Sequence, residues 1–101
     1  MTTGMTVAAP AQAAGPLIVD ISCEPLSRLH VLCISTVSGG TAPYTRNWFY
    51  NDRYFPSQDN KTTTSWSCTP SGPNKYTLAV IDANFQIAFD TTGSGCNSGN
   101  P

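Results

Sequence analysis

Charge is scarce in this chain. Its 101 residues hold 5 Lys or Arg against 6 Asp or Glu, a formal net charge of −1. Without a basic patch to neutralise phosphates or an acidic run, the sequence excludes the electrostatic footprint of a nucleic-acid binder and of an acidic tail. No apolar stretch approaches the length of a membrane-spanning helix. Helical patterning is missing too: from Leu17 onward, no window of about 11 residues repeats apolar side chains at helical spacing. The GxSxG elbow, the glycine-rich phosphate loop and the HExxH run are all absent. The sequence therefore reads as that of a non-enzyme requiring neither cofactor nor metal.

What is present is a globular composition. The apolar fraction is 40%, with 2 Trp, 4 Tyr and 4 Phe, too much for a disordered chain. A chain of this size buries about 64% of its extended surface, enough for one modest core and one domain. Residues 1–15 stand apart, being small and uncharged, with Ala11-Gln12-Ala13 matching the small-x-small pattern of a signal-peptidase site. They lack a basic n-region and a long apolar h-region, and read as the remnant of a secretory signal or as a flexible N-terminal arm. Four cysteines in so short a chain favour an oxidising, extracellular compartment. The boundaries expected are a folded domain over residues 16–97 and a flexible C-terminal tail over 98–101.

Short β-rich runs alternate with clusters of Gly, Pro, Ser and Asn, an all-β pattern. Leu17, Val19, Ile21 and Cys23 share one parity, and a turn follows over residues 25–28. Val31, Cys33, Ser35 and Val37 share one face of the next run, which Ser38-Gly39-Gly40 ends. Residues 44–50 (YTRNWFY) are rich in strand-forming aromatics. Asn51-Asp52 is turn chemistry, and Tyr54-Phe55-Pro56 ends at a proline that restricts any strand there to a short edge. Residues 62–68 place Thr64, Trp66 and Cys68 on one face. Residues 75–81 place Tyr76, Leu78 and Val80 on one face, and Asp82-Ala83-Asn84 turns the chain into a last strand over 86–89. Six or seven strands at such spacing predict an antiparallel β-sandwich.

The string from Ser38 to Trp48 (SGGTAPYTRNW), followed about 30 residues on by Tyr76 to Asp82 (YTLAVID), resembles bacterial extracellular domains of the PKD and immunoglobulin-like class, over roughly residues 17–96. The glycine pair lets the chain leave the second strand, the proline fixes its path into the third, and an indole fills the space between the sheets. The resemblance implies that Trp48 is the inter-sheet core tryptophan and that Tyr76 is similar to the tyrosine corner. Leu78 then stands where antibody domains carry a cysteine, so Cys33 cannot make their inter-sheet bond. Phe85 stands where a turn glycine is usual in PKD-like repeats, and Asn84 is expected to take the positive φ instead. The expected fold is an immunoglobulin-like (PKD-like) antiparallel β-sandwich of about seven strands with two disulfides. The fold alone implies no activity.

Cys23, Cys33, Cys68 and Cys96 admit three pairings. In the sandwich all four lie near one pole, and neither topology nor loop-closure entropy selects among the pairings. A turn near Arg28 would set Cys23 opposite Cys33, and one near Asn84 would bring Cys96 toward the loop after Cys68. On that ground Cys23 with Cys33 and Cys68 with Cys96 is favoured, the others staying open. Their wide spacing is unlike zinc-ligand pairs. His30, three residues from Cys33 on a strand, points to the opposite face and cannot serve it as a base.

Most of the six acids, Asp20, Glu24, Asp52, Asp59, Asp82 and Asp90, sit in or beside turns, where Asp bonds to backbone amides. What remains for function is a surface. Trp48, Phe49, Tyr50, Tyr54 and Phe55 crowd eight residues of chain. With Trp48 inward, Phe49 points out and is expected to join Ile81 and Phe85 or Phe89 in an apolar patch. Phe49, Tyr50, Tyr54 and Phe55 are the candidate binding residues, with Tyr50 and Tyr54 expected as outward contacts. The functional reading is a secreted, monomeric, non-catalytic binding or accessory module whose partner is an extracellular protein or polysaccharide. The alternative is a small secreted inhibitor of an extracellular hydrolase, inserting a loop such as residues 51–59 or 69–74.

Overall fold

A computed structural model of the chain describes residues 15–27 and 29–96. The signal remnant or arm, apart from Gly15, the tail over 98–101 and Arg28, near which a turn is expected, lie outside the described residues. The seven strands are β1 (Ile18–Ser27), β2 (His30–Ser38), β3 (Thr45–Tyr50), β4 (Arg53–Tyr54), β5 (Thr63–Ser67), β6 (Lys75–Ile81) and β7 (Ile87–Gly93), with one 3₁₀ turn at Pro56–Gln58. They form two antiparallel sheets, ordered β1-β2-β5 and β4-β3-β6-β7. The chain changes sheet after β2, after β4 and after β5, a layered arrangement that buries one face of each sheet against the other.

Alternation decides which side chains enter that interior. Along β6, Tyr76, Leu78 and Val80 are fully buried while their neighbours are not. Trp48 pairs with Leu78 across β3 and β6 and is equally buried. Ile21, Val31, Cys33, Trp66 and Cys68 come from the opposing side, with Leu17 just before β1. Side chains on these inner faces alternate with polar or exposed ones because the pleat has a period of two. Two of the inward polar groups show how such atoms are paired: Ser35 Oγ donates to the Thr62 carbonyl at 2.8 Å, and Trp66 Nε1 to Thr64 Oγ1 at 2.7 Å.

Two turns carry the local chemistry expected of them, and a third departs from it. Asn51 and Asp52, at φ 49° and 68°, close the two-residue β3–β4 hairpin, as the primed turns require. Gly39 and Gly40, at φ 67° and 60°, let β2 leave its sheet. A Cβ on Gly40 would lie 2.9 Å from both Asp82 Oδ2 and Leu17 Cδ1, so this close approach admits glycine only. In the β6–β7 turn the structure corrects the sequence reading, since Phe85, not Asn84, takes the left-handed conformation at φ 64°. The reason is Asp82, whose Oδ1 accepts the amides of Asn84 at 2.9 Å and Gln86 at 2.8 Å and so fixes the path on both sides of Phe85.

Asp82 also ties this turn to the β2–β3 loop: its Oδ2 accepts the Thr41 amide at 2.9 Å and the Gln86 side-chain amide at 3.0 Å. Burial alone would raise the carboxyl pKa; the Gln86, Thr41 and Asn84 amides and the Gln86 side chain outweigh it and hold the group below its usual value. Near the other pole, Cys23 and Cys33 are directly opposed on β1 and β2 and bonded, and Cys68 is bonded to Cys96. The second bridge joins the end of β5 to the segment after β7 and so links the two sheets covalently.

Candidate binding cleft

The aromatic run of β3 is divided between the two faces of its sheet. Phe49 points outward and pairs with Tyr54, ring centroids 5.5 Å apart. The Tyr54 hydroxyl donates to Asp59 Oδ2 at 2.5 Å, and that bond, with some desolvation and the carboxylate's charge, raises its pKa. Asn47 completes the group by donating to Asp59 Oδ1 at 3.1 Å. Phe49 does not join Ile81: in register it faces Thr77, whereas Ile81 faces Thr45. The apolar patch lies instead toward the β7 edge of the same outer face, where Ile87 and Phe89 on β7 and Phe85 in the turn are 68%, 70% and 84% exposed. Asn47 and Thr77 separate it from Phe49 because polar residues occupy the intervening outward positions.

Tyr50, expected as an outward contact, faces inward, because it shares the parity of Trp48. Its ring stacks at 6.1 Å on Trp66 and lies 5.3 Å from Tyr76. Its hydroxyl donates to Asn74 Oδ1 at 2.5 Å and lies 3.2 Å from Thr69 Oγ1. Phe55 turns to the same side, edge-on to Trp66 at 5.4 Å, with the Arg53 guanidinium 5.6 Å from its ring centroid. Trp66 is the common neighbour, since it also lies 6.2 Å from Trp48 and 5.7 Å from Tyr76. Such offset and edge-to-face pairs add about 0.5–1.5 kcal/mol each beyond burial, so the rings are held in fixed positions.

This cluster opens into a cleft of about 320 Å³ lined by Tyr50, Phe55, Ser57, Gln58, Ser65, Trp66 and Ser67. Its floor comes from β3 and β5, on different sheets, and its rim from the 3₁₀ turn between them. The sequence reading found Tyr50 and Phe55 but not the serines, Gln58 or Trp66 as site residues. A serine at an outward position of a short strand carries no signal of its own, and Trp66 read only as one more inward residue.

Asn74 stiffens the neighbouring loop. It is buried, its Oδ1 accepts the Thr69 amide at 2.9 Å, and its Nδ2 donates to the Thr69 carbonyl at 2.9 Å. Tyr76, expected from the resemblance to form a tyrosine corner, does not: its buried hydroxyl has no hydrogen-bond partner among the described residues. Burial, helped by the adjacent Tyr50, pushes its pKa up to about 12.

His30 is an exposed residue at the start of β2. The acids are spread through the fold. Asp52 pairs with Lys75 at 2.7 Å, and Asp90 Oδ2 accepts the Ile21 amide at 2.8 Å, so the β7 side chain bonds to the backbone of β1 in the other sheet. Among the described residues no group of three or more His, Cys, Asp or Glu side chains is arranged to hold a metal ion. None of their helices is long and apolar enough to cross a membrane.

Fold and site together define an all-β, doubly disulfide-bonded protein of two facing sheets with an aromatic cleft beside the β3–β5 connection. No protein-family model matches the chain, and comparison with curated proteins finds no significant relative.

Proposed function

We propose that this chain is a secreted, non-catalytic binding module of immunoglobulin-like fold that holds its partner in the aromatic cleft. The observation that carries the reading is the cleft itself: the half-buried rings of Tyr50 and Phe55, locked by packing against the buried Trp66, beside four neutral polar side chains. Rigid aromatic surface next to a few hydrogen-bonding groups is the usual make-up of a preformed ligand site. The immunoglobulin-like assignment is supported by strand order, since β1-β2-β5 against β4-β3-β6-β7 has the two-sheet connectivity of that class without the strand that would follow β5's outer edge. Export is supported by the two disulfides, which form and persist most readily in an oxidising compartment.

The test is a titration of isotope-labelled, oxidised protein with macromolecular fractions of the culture medium, followed by NMR. Partner binding in the cleft should move the Trp66 indole and Gln58 side-chain amide signals and leave those of Ile87 and Phe89 in place. Shifts confined to β7, or none with any fraction, would reject it. A second reading, inhibition of an extracellular hydrolase, draws on the loop over residues 69–74, which starts at the Cys68 bridge and is pinned by Asn74. Formation of a tight one-to-one complex with a secreted protease or glycosidase, abolished by lengthening that loop, would favour it.

A further inference from the structure

The chemistry of the cleft names its ligand class more narrowly, and this step rests on the cleft being the binding site. Every lining residue is either aromatic (Tyr50, Phe55, Trp66) or neutral and hydrogen-bonding (Ser57, Gln58, Ser65, Ser67). The two groups differ in how they are engaged. The polar atoms of the rings are already committed, Tyr50 to Asn74 and Trp66 to Thr64. The hydroxyls of the three serines and the Gln58 amide, by contrast, make no side-chain hydrogen bond to protein among the described residues. A ligand entering here meets the half-buried rings of Tyr50 and Phe55, packed against the buried Trp66, together with unspent neutral donors and acceptors.

That pairing suits a neutral saccharide. A pyranose ring has one face of C–H groups, which lie favourably against the electron-rich face of an aromatic ring. Its edge carries hydroxyls that need partners once water is displaced, and the serines and Gln58 supply both donors and acceptors. A charged ligand would be desolvated beside rings whose lining carries no charge, the Arg53 guanidinium near Phe55 being exposed to water, a net cost. A purely apolar ligand would strand the serine and glutamine groups against a surface that cannot bond them. The volume of about 320 Å³ lies at the small end of ligand sites, which fits a short stretch of a neutral glycan. We infer that the Tyr50–Phe55–Trp66 cleft binds neutral oligosaccharide units by stacking on the half-buried rings of Tyr50 and Phe55, which the buried Trp66 holds in place, with Ser57, Gln58, Ser65 and Ser67 reading the hydroxyls.

The experiment titrates the oxidised full chain with cello-, chito-, laminari- and malto-oligosaccharides at millimolar concentration, and in parallel with polygalacturonate and with uncharged peptides. Tryptophan fluorescence and the indole NMR signals are followed. At least one neutral oligosaccharide should shift the Trp66 signals saturably. Phe55→Ala and, as a surface change with no folding risk, Gln58→Ala should each weaken that binding by about tenfold or more. If culture-medium fractions or peptides move the Trp66 and Gln58 signals while no neutral oligosaccharide does, the saccharide assignment fails and the cleft reading survives. If nothing moves them, both fail. Binding of an oligosaccharide unaffected by Gln58→Ala and Phe55→Ala together would also overturn the inference, because the sugar would then sit elsewhere.

Discussion

Replacing Trp48 by alanine tests the placement of β3 more sharply than any other single change. Trp48 is fully buried between the sheets, opposite Leu78, with its ring 6.2 Å from Trp66 and Nε1 donating to the Lys61 carbonyl at 2.9 Å. Truncating such a side chain costs about 3–5 kcal/mol through lost transfer and the cavity left behind, of which the hydrogen bond is about 1 kcal/mol. For a domain of this size each kcal/mol lowers Tm by about 4–8 °C, so Trp48→Ala should melt about 12–40 °C below the parent. Set against a total stability of about 5–15 kcal/mol, that loss takes much of the folded state's margin. The control is the next residue. Phe49 is half-buried on the outer face against Tyr54, and Phe49→Ala should cost only about 1 kcal/mol. Urea denaturation followed by circular dichroism measures both. A Trp48→Ala protein no less stable than Phe49→Ala would show that the parity of β3 is reversed and that the interior described here is wrong.

Four further outcomes follow from the same geometry. The Asp82 pKa is lowered on folding, so the stability it contributes is complete above the unfolded value of 3.8 and is lost as pH falls through the lower folded value; Asp82→Asn should melt lower at neutral pH and show a shallower acid limb in a Tm-versus-pH series. Tyr76 shifts the other way, from 10.0 to about 12, so its contribution is complete below pH 10 and is lost between there and about 12. Absorbance titration should show one late tyrosine, and Tyr76→Phe, which removes a hydroxyl with no partner, should be at least as stable at neutral pH and flatten the alkaline limb. Gly40→Ala should destabilise by at least about 1–2 kcal/mol through its positive φ alone, whereas Phe85→Gly should be neutral or up to about 1 kcal/mol stabilising by relieving the same conformation, as calorimetry would read. Replacing both members of Cys68–Cys96 by serine should cost about 3.6 kcal/mol, against about 2.7 kcal/mol for Cys23–Cys33, because the first closes the longer loop; the reverse order of melting temperatures would contradict that account.

Most of the strand layout was legible without coordinates, and the reason is local. A strand turns successive side chains to opposite faces, so the alternation of Tyr76, Leu78 and Val80, or of Val31 and Cys33, identifies both a strand and its buried side. The same rule separated Trp48 from Phe49, and applied one residue further it also sends Tyr50 inward, where the structure places it. Turn chemistry at Asn51-Asp52 and Gly39-Gly40 is equally short-range. The favoured pairing of Cys23 with Cys33 needed only a hairpin between two adjacent runs, which is why it could be read before the fold was known.

The tertiary structure decided what depends on the distance between remote segments. Nothing in the neighbourhood of Ser65 or Gln58 indicates that they share a cleft with Tyr50, because β5 and β3 belong to different sheets and meet only after the chain has crossed between them. Asp82 reads as one turn aspartate among several, yet it gathers amides from the β2–β3 loop and the β6–β7 turn, and that network, not the propensity of Asn84, places Phe85 in the left-handed region. The outward patch of Phe85, Ile87 and Phe89 is separate from Phe49 because cross-strand register sets which side chains are neighbours on a sheet, and register is a property of the paired strands, not of either sequence alone. Periodicity along the chain thus determined which residues face inward, and the pairing of distant strands determined which of them meet.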